Sequence, residues 1–311
     1  MFDPDDPDMP RILTADDVDP PPARESRSAG DVAQSLKNYL ATEQPPGVFT
    51  GIVPVDGLIG AGLQPSDMAI IAADTGVGKS ILGFQIATYN AGLGLGRVLY
   101  VSAEMTAESL AMRYVTSLTE VPVSRQRAGL KALTDSDWAG GVSLYNTGPR
   151  RLSINEALDR FAALDLEILD SGDFGISDLE REVKSSVNPR LVCIDYAQLI
   201  DSDTKSSSQA EAMKEISKRL RGLAYRRCVI LAMAQINRAV EGRSDKELRL
   251  SDIAETGSLA KDSSLVVMLE REVLGNNRNL ATLRLRKNRH AEPTTLQLHF
   301  NAARLIFERQ K

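Results

Sequence analysis

The stretch IIAADTGVGKS, residues 70–80, decides how the rest of the chain is read. An apolar run ends at Ala73, a glycine-punctuated turn follows, and Lys79 and Ser80 lead into the amphipathic segment SILGFQIATYNAG. The pattern is G-x-x-x-x-G-K-[ST] with Ala73 in place of the first glycine. In such a turn the backbone N–H groups of Asp74, Thr75, Gly76, Val77 and Gly78 can converge on phosphate oxygens, assisted by the N-terminus of the next helix. Gly76 and Gly78 permit the close approach, Lys79 reaches the outer phosphates, and Ser80 offers a hydroxyl to magnesium. A nucleotide's phosphates and Mg2+ are the ligands this implies. The alternative is a glycine-rich strand-to-helix turn with an exposed lysine.

A triphosphate site also needs an acid to hold the metal and a group to activate water. LVCIDY (191–196) ends an apolar strand on Asp195, where a parallel sheet delivers side chains to its ligand crevice. Asp195 is therefore the second magnesium-holding candidate, with Ser80. LYVSAEM (99–105) ends another strand near Glu104, a candidate base for the attacking water. A carboxylate at the start of a helix is also favoured by the helix dipole alone. VILAMAQINR ends a third strand at Gln235, whose amide could sense the outer phosphate, or could be a polar strand end and no more.

Outward from these motifs, 311 residues leave room for one large α/β domain or two small ones. Residues 1–30 combine proline with acid and lack an apolar period, which predicts disorder. Seven aspartates and Glu25 against Arg11, Arg24 and Arg27 give this segment the whole net charge of −5. The neutral remainder argues against indiscriminate coating of duplex DNA but leaves room for a local basic stripe. Residues 31–48 read as a short amphipathic helix, with Val32, Leu36 and Leu40 on one face, and a linker. A helix this short needs a surface to lie on. Residues 49–311 form the main domain. Apolar strands are predicted at 68–73, 98–102, 166–169, 191–195, 228–233 and 266–270. Helices are predicted between them at 79–93, 106–118, 154–164, 176–186 and 207–226. Such alternation means a mostly parallel sheet covered on both faces. Residues 281–308 alternate with period two and predict antiparallel strands. No run of about 18 apolar residues marks a membrane span, and the acidic start is unlike a signal peptide. Cys193 and Cys228 sit in apolar runs and read as small buried hydrophobes. His290 and His299 have no neighbours at zinc-ligand spacing.

These strand ends, in this order, resemble the RecA-like ATPases, and most of all the C-terminal motor domain of DnaB-type hexameric replicative helicases. The likeness runs over about residues 31–308. It is carried by FTGIVPVDGLIGAGLQPSD, VSAEMTAESLAMRYVTS, LTDSDW, LEILDSGDFGISDLEREV, IDYAQLI and AQINRAVEGRSDKELRLSDIAETGSLAKDSSLVVML. The resemblance implies an α/β fold: a RecA-like P-loop core, mostly parallel, flanked by helices, with a C-terminal antiparallel extension. It makes ATP, with Mg2+, the ligand of Lys79 and Ser80, and makes Lys79, Glu104 and Gln235 catalytic, together with Lys287 and Arg289 of RLRKNRHAEP, which match the basic finger reaching into the neighbouring subunit's site. The alternative for that pair is a basic hairpin facing solvent. Single-stranded DNA would thread the ring past Arg238, Arg243, Lys246 and Arg249, and past Glu255, Gly257 and Lys261 in a second loop, AETGSLAK. Few aromatics interleave with these charges, so backbone tracking fits better than base stacking. A solvated charged loop is the alternative. Ala254 stands where the family usually carries an arginine, and KNRHAEP lacks the glycine usual after the finger. The helix at 31–41 matches the family's linker helix, which docks on the adjacent protomer. Self-association into a ring, a helicase loader as a candidate partner, and a cytoplasmic place in a bacterial or phage-infected cell complete the expectation. Two other readings remain: a recombination ATPase forming filaments on DNA, and an adaptor that binds helicase rings without unwinding.

Overall fold

The computed structural model describes residues 26, 28–42, 46–129, 132–134, 137–138, 152–172, 174–185, 189–203, 208–225, 228–237, 248–253, 257–289 and 291–310. The acidic segment up to residue 25 lies outside them. The chain divides into two compact units, Met1–Pro45 and Pro46–Lys311. The described part of the first contains helix α1 (Ala29–Ala41). Ser28 opens it: its hydroxyl accepts from the Asp31 N–H at 3.1 Å and donates to the Asp31 carboxylate at 2.7 Å. Val32, Leu36 and Leu40 lie along one side of this helix and are exposed.

Among its described residues the larger unit has nine strands: β1 (Met68–Ala73), β2 (Val98–Ser102), β3 (Leu166–Leu169), β4 (Leu191–Asp195), β5 (Val229–Gln235), β6 (Leu265–Arg271), β7 (Leu280–Asn288), β8 (Thr294–Asn301) and β9 (Ile306–Arg309). They form one sheet in the order β3-β2-β4-β5-β1-β6-β7-β8-β9. The first six run parallel, and β6 to β9 pair antiparallel. The helices of this unit are α2 (Val53–Ile59), α3 (Lys79–Gly92), α4 (Ala107–Thr119), α5 (Val123–Arg127), α6 (Ile154–Ala162), α7 (Ile176–Ser185), α8 (Gln209–Ala224) and α9 (Gly257–Asp262).

The continuous apolar strands are explained by burial on both faces, because successive side chains point to opposite sides. Ala69, Ile71 and Ala73 of β1 pack into one layer with Leu82, Phe84 and Ile86 of α3 and the C-terminal strands. Met68, Ile70 and Ala72 pack into the other with Leu179 of α7 and Met213, Ile216 and Leu220 of α8. Local signals set the helix starts. Ser153 and Glu156 form a reciprocal capping box at α6, and the Thr106 and Ser208 side chains accept from the first turns of α4 and α8.

All six parallel strands lie where the apolar runs predict them. Strand β5 extends to Gln235, two residues beyond its predicted end, because Ala234 and Gln235 still pair with Ala72 and Ala73. Three short helices, α2, α5 and α9, go beyond the sequence expectation. The last corrects it: Gly257 and Lys261 lie in a helix, not in an open loop. Leu259 and Ala260 are buried against α8, and that packing gives the segment its helical form.

Candidate active site

The carboxyl ends of β4, β5 and β1 are neighbours in the sheet, and all three face one end of it. From Ala73 the chain turns through Asp74–Gly78 into α3. Gly76 and Gly78 have φ of +78° and +116°, in the region that glycine alone enters at little cost. A Cβ on Gly78 would also stand 2.9 Å from the Phe307 ring, so this position excludes side chains twice over. Gly78 is the N-cap of α3 and offers no side chain to the first-turn N–H groups, which are left to an anion.

Lys79 and Ser80 begin α3 and turn toward Asp195. The Ser80 hydroxyl donates to Asp195 Oδ1 at 3.0 Å, and the Tyr100 hydroxyl donates to Asp195 Oδ2 at 3.0 Å. Lys79 is only 7% exposed, and its Nζ sits 4.6 Å from the centre of the Tyr196 ring. Asp195 is fully buried. Burial raises its carboxyl above the ordinary carboxylate range, while the Ser80 hydrogen bond, the Lys79 charge and the Tyr100 hydrogen bond pull the other way. Tyr100, wholly enclosed against Phe84, is pushed well above the usual phenol value by burial and then by Asp195. A hydroxyl and a carboxylate 3.0 Å apart are hard oxygen donors of the kind Mg2+ takes while keeping several waters, so the pair fits that ion.

Gln235, the last residue of β5, sits in register with Ala73. Its Nε2 donates to Thr75 Oγ1 at 2.9 Å, which ties the end of one strand to the glycine turn that follows the next. Gln198 holds Gln235 in place: its Nε2 donates to the Gln235 carbonyl at 3.1 Å, and its Oε1 accepts from the Gln235 N–H at 3.3 Å. Glu104 lies two residues beyond β2 and is exposed. Its charge is felt by Asp195 and Tyr196, raising both. Arg113 of α4 faces the same group: burial lowers its value, and Tyr100, Asp195 and Glu104 raise it.

Lys287 and Arg289 are elsewhere. Strand β7 runs antiparallel to β6, so its end meets the start of β6: Leu265 pairs with Asn288 on one side and Ala69 on the other. The Arg289 N–H donates to the Ser264 carbonyl, and the Ser264 N–H donates to the Met68 carbonyl. Arg289 thus lies level with the beginning of β1, five residues or about 16 Å along the strand from Ala73. It is exposed and stands at the opposite end of the sheet from the glycine turn 74–78. Lys287 donates from Nζ to the Ala260 and Lys261 carbonyls at 2.8 and 2.7 Å, closing the C-terminus of α9. Of the residues expected at DNA, Arg238, Arg243, Lys246 and Glu255 lie outside the described residues, as does Ala254. Arg249, Gly257 and Lys261 are exposed.

Sequence reasoning passed over Tyr100, Gln198, Arg113 and Arg271. Only Tyr100 carried a signal: a hydroxyl inside a fully apolar strand requires a buried partner. Among the described residues no cluster of three His, Cys, Asp or Glu could hold a metal, and no helix is long and apolar enough to cross a membrane.

Comparison with known proteins places this geometry. The family model for the DnaB-like helicase C terminal domain matches residues 47–309. The replicative DNA helicase DnaB of Leifsonia xyli is 32% identical over 82% of this chain and 54% of its own length. That of Geobacillus stearothermophilus is 30% identical over the same shares. The chain therefore spans about half the length of the curated relatives it matches. Among solved structures, one described as an ATPase domain superposes with a TM-score of 0.80 at 20% identity, covering 92% of this chain and 100% of that one. A DnaB-like replicative helicase, described with its interactions with primase, gives 0.78 at 20%, covering 91% and 69%. The RadB recombinase gives 0.52 at 17%, covering 85% and 100%. The fold is that of a RecA-like ATPase core with antiparallel C-terminal strands.

Proposed function

The chain belongs to the DnaB-like helicase C-terminal domain family, and on that premise we propose that it is the ATP-driven motor of a ring-shaped replicative helicase moving on single-stranded DNA. The observation that carries this reading is the convergence of Lys79, Ser80, Asp195 and the Gln235–Thr75 bond at one end of the sheet. In the reading, the turn 74–78 binds the phosphates through backbone N–H groups, and Lys79 adds a positive charge held over Tyr196. Ser80 and Asp195 would hold Mg2+, which would neutralise phosphate charge when bound. Glu104 takes the proton of the attacking water.

Arg289 completes the site from the neighbouring subunit. Its place at the far end of its own sheet supports this, because a group some 16 Å from its own turn serves a nucleotide only on another copy. A cation beside the outer phosphate contributes about 10³–10⁵ in rate in nucleotide hydrolases, or roughly 4–7 kcal/mol of barrier. Head-to-tail donation of this kind closes into a ring, six-membered by family likeness. The exposed Val32, Leu36 and Leu40 stripe of α1 offers that ring a docking surface.

Gln235 links chemistry to movement. Its amide turns to the outer phosphate when that is present and back to Thr75 when it has gone, shifting the end of β5. The chain leads from there into residues 238–249, where Arg238, Arg243, Lys246 and Arg249 would track the DNA backbone, together with Glu255, Gly257 and Lys261. Binding of this kind weakens as salt rises. The motor would work in the cytoplasm, brought to DNA by a loader. The test is ATP hydrolysis with and without single-stranded DNA at low salt, alongside strand displacement on a forked duplex. Stimulation by DNA, abolished in Lys79→Ala, is expected. Hydrolysis indifferent to both DNA and Lys79 would refute the reading.

A further inference from the structure

Arg271, the last residue of β6, turns its guanidinium against the backbone of the phosphate-binding turn. Nε donates to the Val77 carbonyl at 3.0 Å, Nη2 to the Gly76 carbonyl at 3.2 Å, and Nη1 to the Arg278 carbonyl at 2.9 Å. Its flat face lies 4.2 Å from the centre of the Phe300 ring. Phe300 packs on Phe307 at 5.0 Å, and Phe307 is the ring that meets Gly78. Phe307 is fixed in turn by Gln85 of α3, which exchanges two 2.8 Å hydrogen bonds with its backbone. The antiparallel extension thus reaches back to brace the turn from the side away from the crevice.

A trans peptide sets its N–H antiparallel to its C=O. Among the described residues only the Asp195–Tyr196 bond is cis, so the peptides after Gly76 and Val77 are trans. Holding both carbonyls on the Arg271 side directs the N–H groups of Val77 and Gly78 to the other. The Val77 N–H now makes a long 3.4 Å contact with the Asp74 carbonyl, and the same peptide geometry turns that of Gly78 away from Arg271. A cation on the carbonyl side also polarises both peptides and strengthens those N–H groups as donors to an anion.

We propose that Arg271 is a positioning residue for nucleotide binding, fixing two successive peptide planes of the phosphate-binding turn with their N–H groups aimed at phosphate oxygens. This rests on the reading that the turn binds ATP. A planar fork can hold two neighbouring carbonyls, and an ammonium on a shorter reach cannot reproduce it. Arg271→Lys keeps the cation and the packing stem near Phe300 but loses the fork, whereas Arg271→Ala loses all three.

The experiment is calorimetric titration of the full chain with Mg·ADP and with a non-hydrolysable ATP analogue, beside thermal melting without nucleotide. Wild type binds both. Arg271→Lys should melt within a few degrees of wild type yet bind both ligands about 10- to 100-fold more weakly, the scale of charge-assisted hydrogen bonds lost. Arg271→Ala should lose at least as much affinity; if it does not fold, Arg271→Lys decides alone. A folded Arg271→Lys that binds within twofold of wild type overturns the positioning role and leaves the proposed function standing. Wild-type protein that binds neither ligand overturns both.

Discussion

Asp195 is enclosed beside Tyr100 and Ser80, and burial holds its carboxyl above the ordinary range. In the unfolded chain that group ionises at a lower pH. Between the two values the folded state binds more protons, so its stability falls as pH rises through that window. On the proposed reading this group is retained at that cost for chemistry rather than for folding. Asp195→Asn should therefore raise the melting temperature of the nucleotide- and magnesium-free protein at pH 7, by about 2–5 °C. The gain should vanish at pH values below the unfolded carboxyl's range, and hydrolysis should be lost. Calorimetric scans over pH check the first part; an unchanged or lower melting point at pH 7 would contradict it. At this scale the sequence was informative where glycine punctuation or a strand end marks a position, as at Gly78, Lys79, Asp195 and Gln235. It was silent on Gln198 and Arg271, whose roles arise from contacts with residues 37 and up to 195 positions away.

Among elements, α7 and α8 are joined by a charge cluster around Arg219. Its Nε and Nη2 donate to the two Glu180 oxygens at 2.9 and 2.8 Å, Nη2 also donates to Ser177 Oγ at 2.7 Å, and Nη1 pairs with Asp203. Burial pushes Asp203 up, but hydrogen bonds from Ser177 and Arg219 outweigh it and hold the carboxyl below its usual range. The stability this adds is complete above the unfolded carboxyl's value and is lost as pH falls through the lower folded one. Arg219→Leu should cost about 1 kcal/mol at neutral pH, as half-exposed pairs do. It should also flatten the acid limb of the melting curve. A variant with the wild-type acid limb would show that the cluster contributes nothing through Asp203. Strands and long helices were legible because their apolar runs have length and period. Helices α2 and α9, of seven and six residues, are too short to show a period, and packing decides them.

For the whole molecule, the parallel core and antiparallel extension followed from the alternation of apolar runs, but the placement of Arg289 did not. Only the pairing of β7 against β6 puts its backbone level with Met68 and away from its own glycine turn 74–78. On the proposed reading, that separation makes activity a property of neighbouring copies. The most direct measurement is ATP hydrolysis by mixtures of Lys79→Ala and Arg289→Ala proteins. Each variant alone should be inactive, and mixing should restore turnover, because a subunit with an intact Lys79 site can then receive Arg289 from its neighbour. Full turnover by Arg289→Ala alone, or a mixture as silent as its components, would contradict a site shared between subunits.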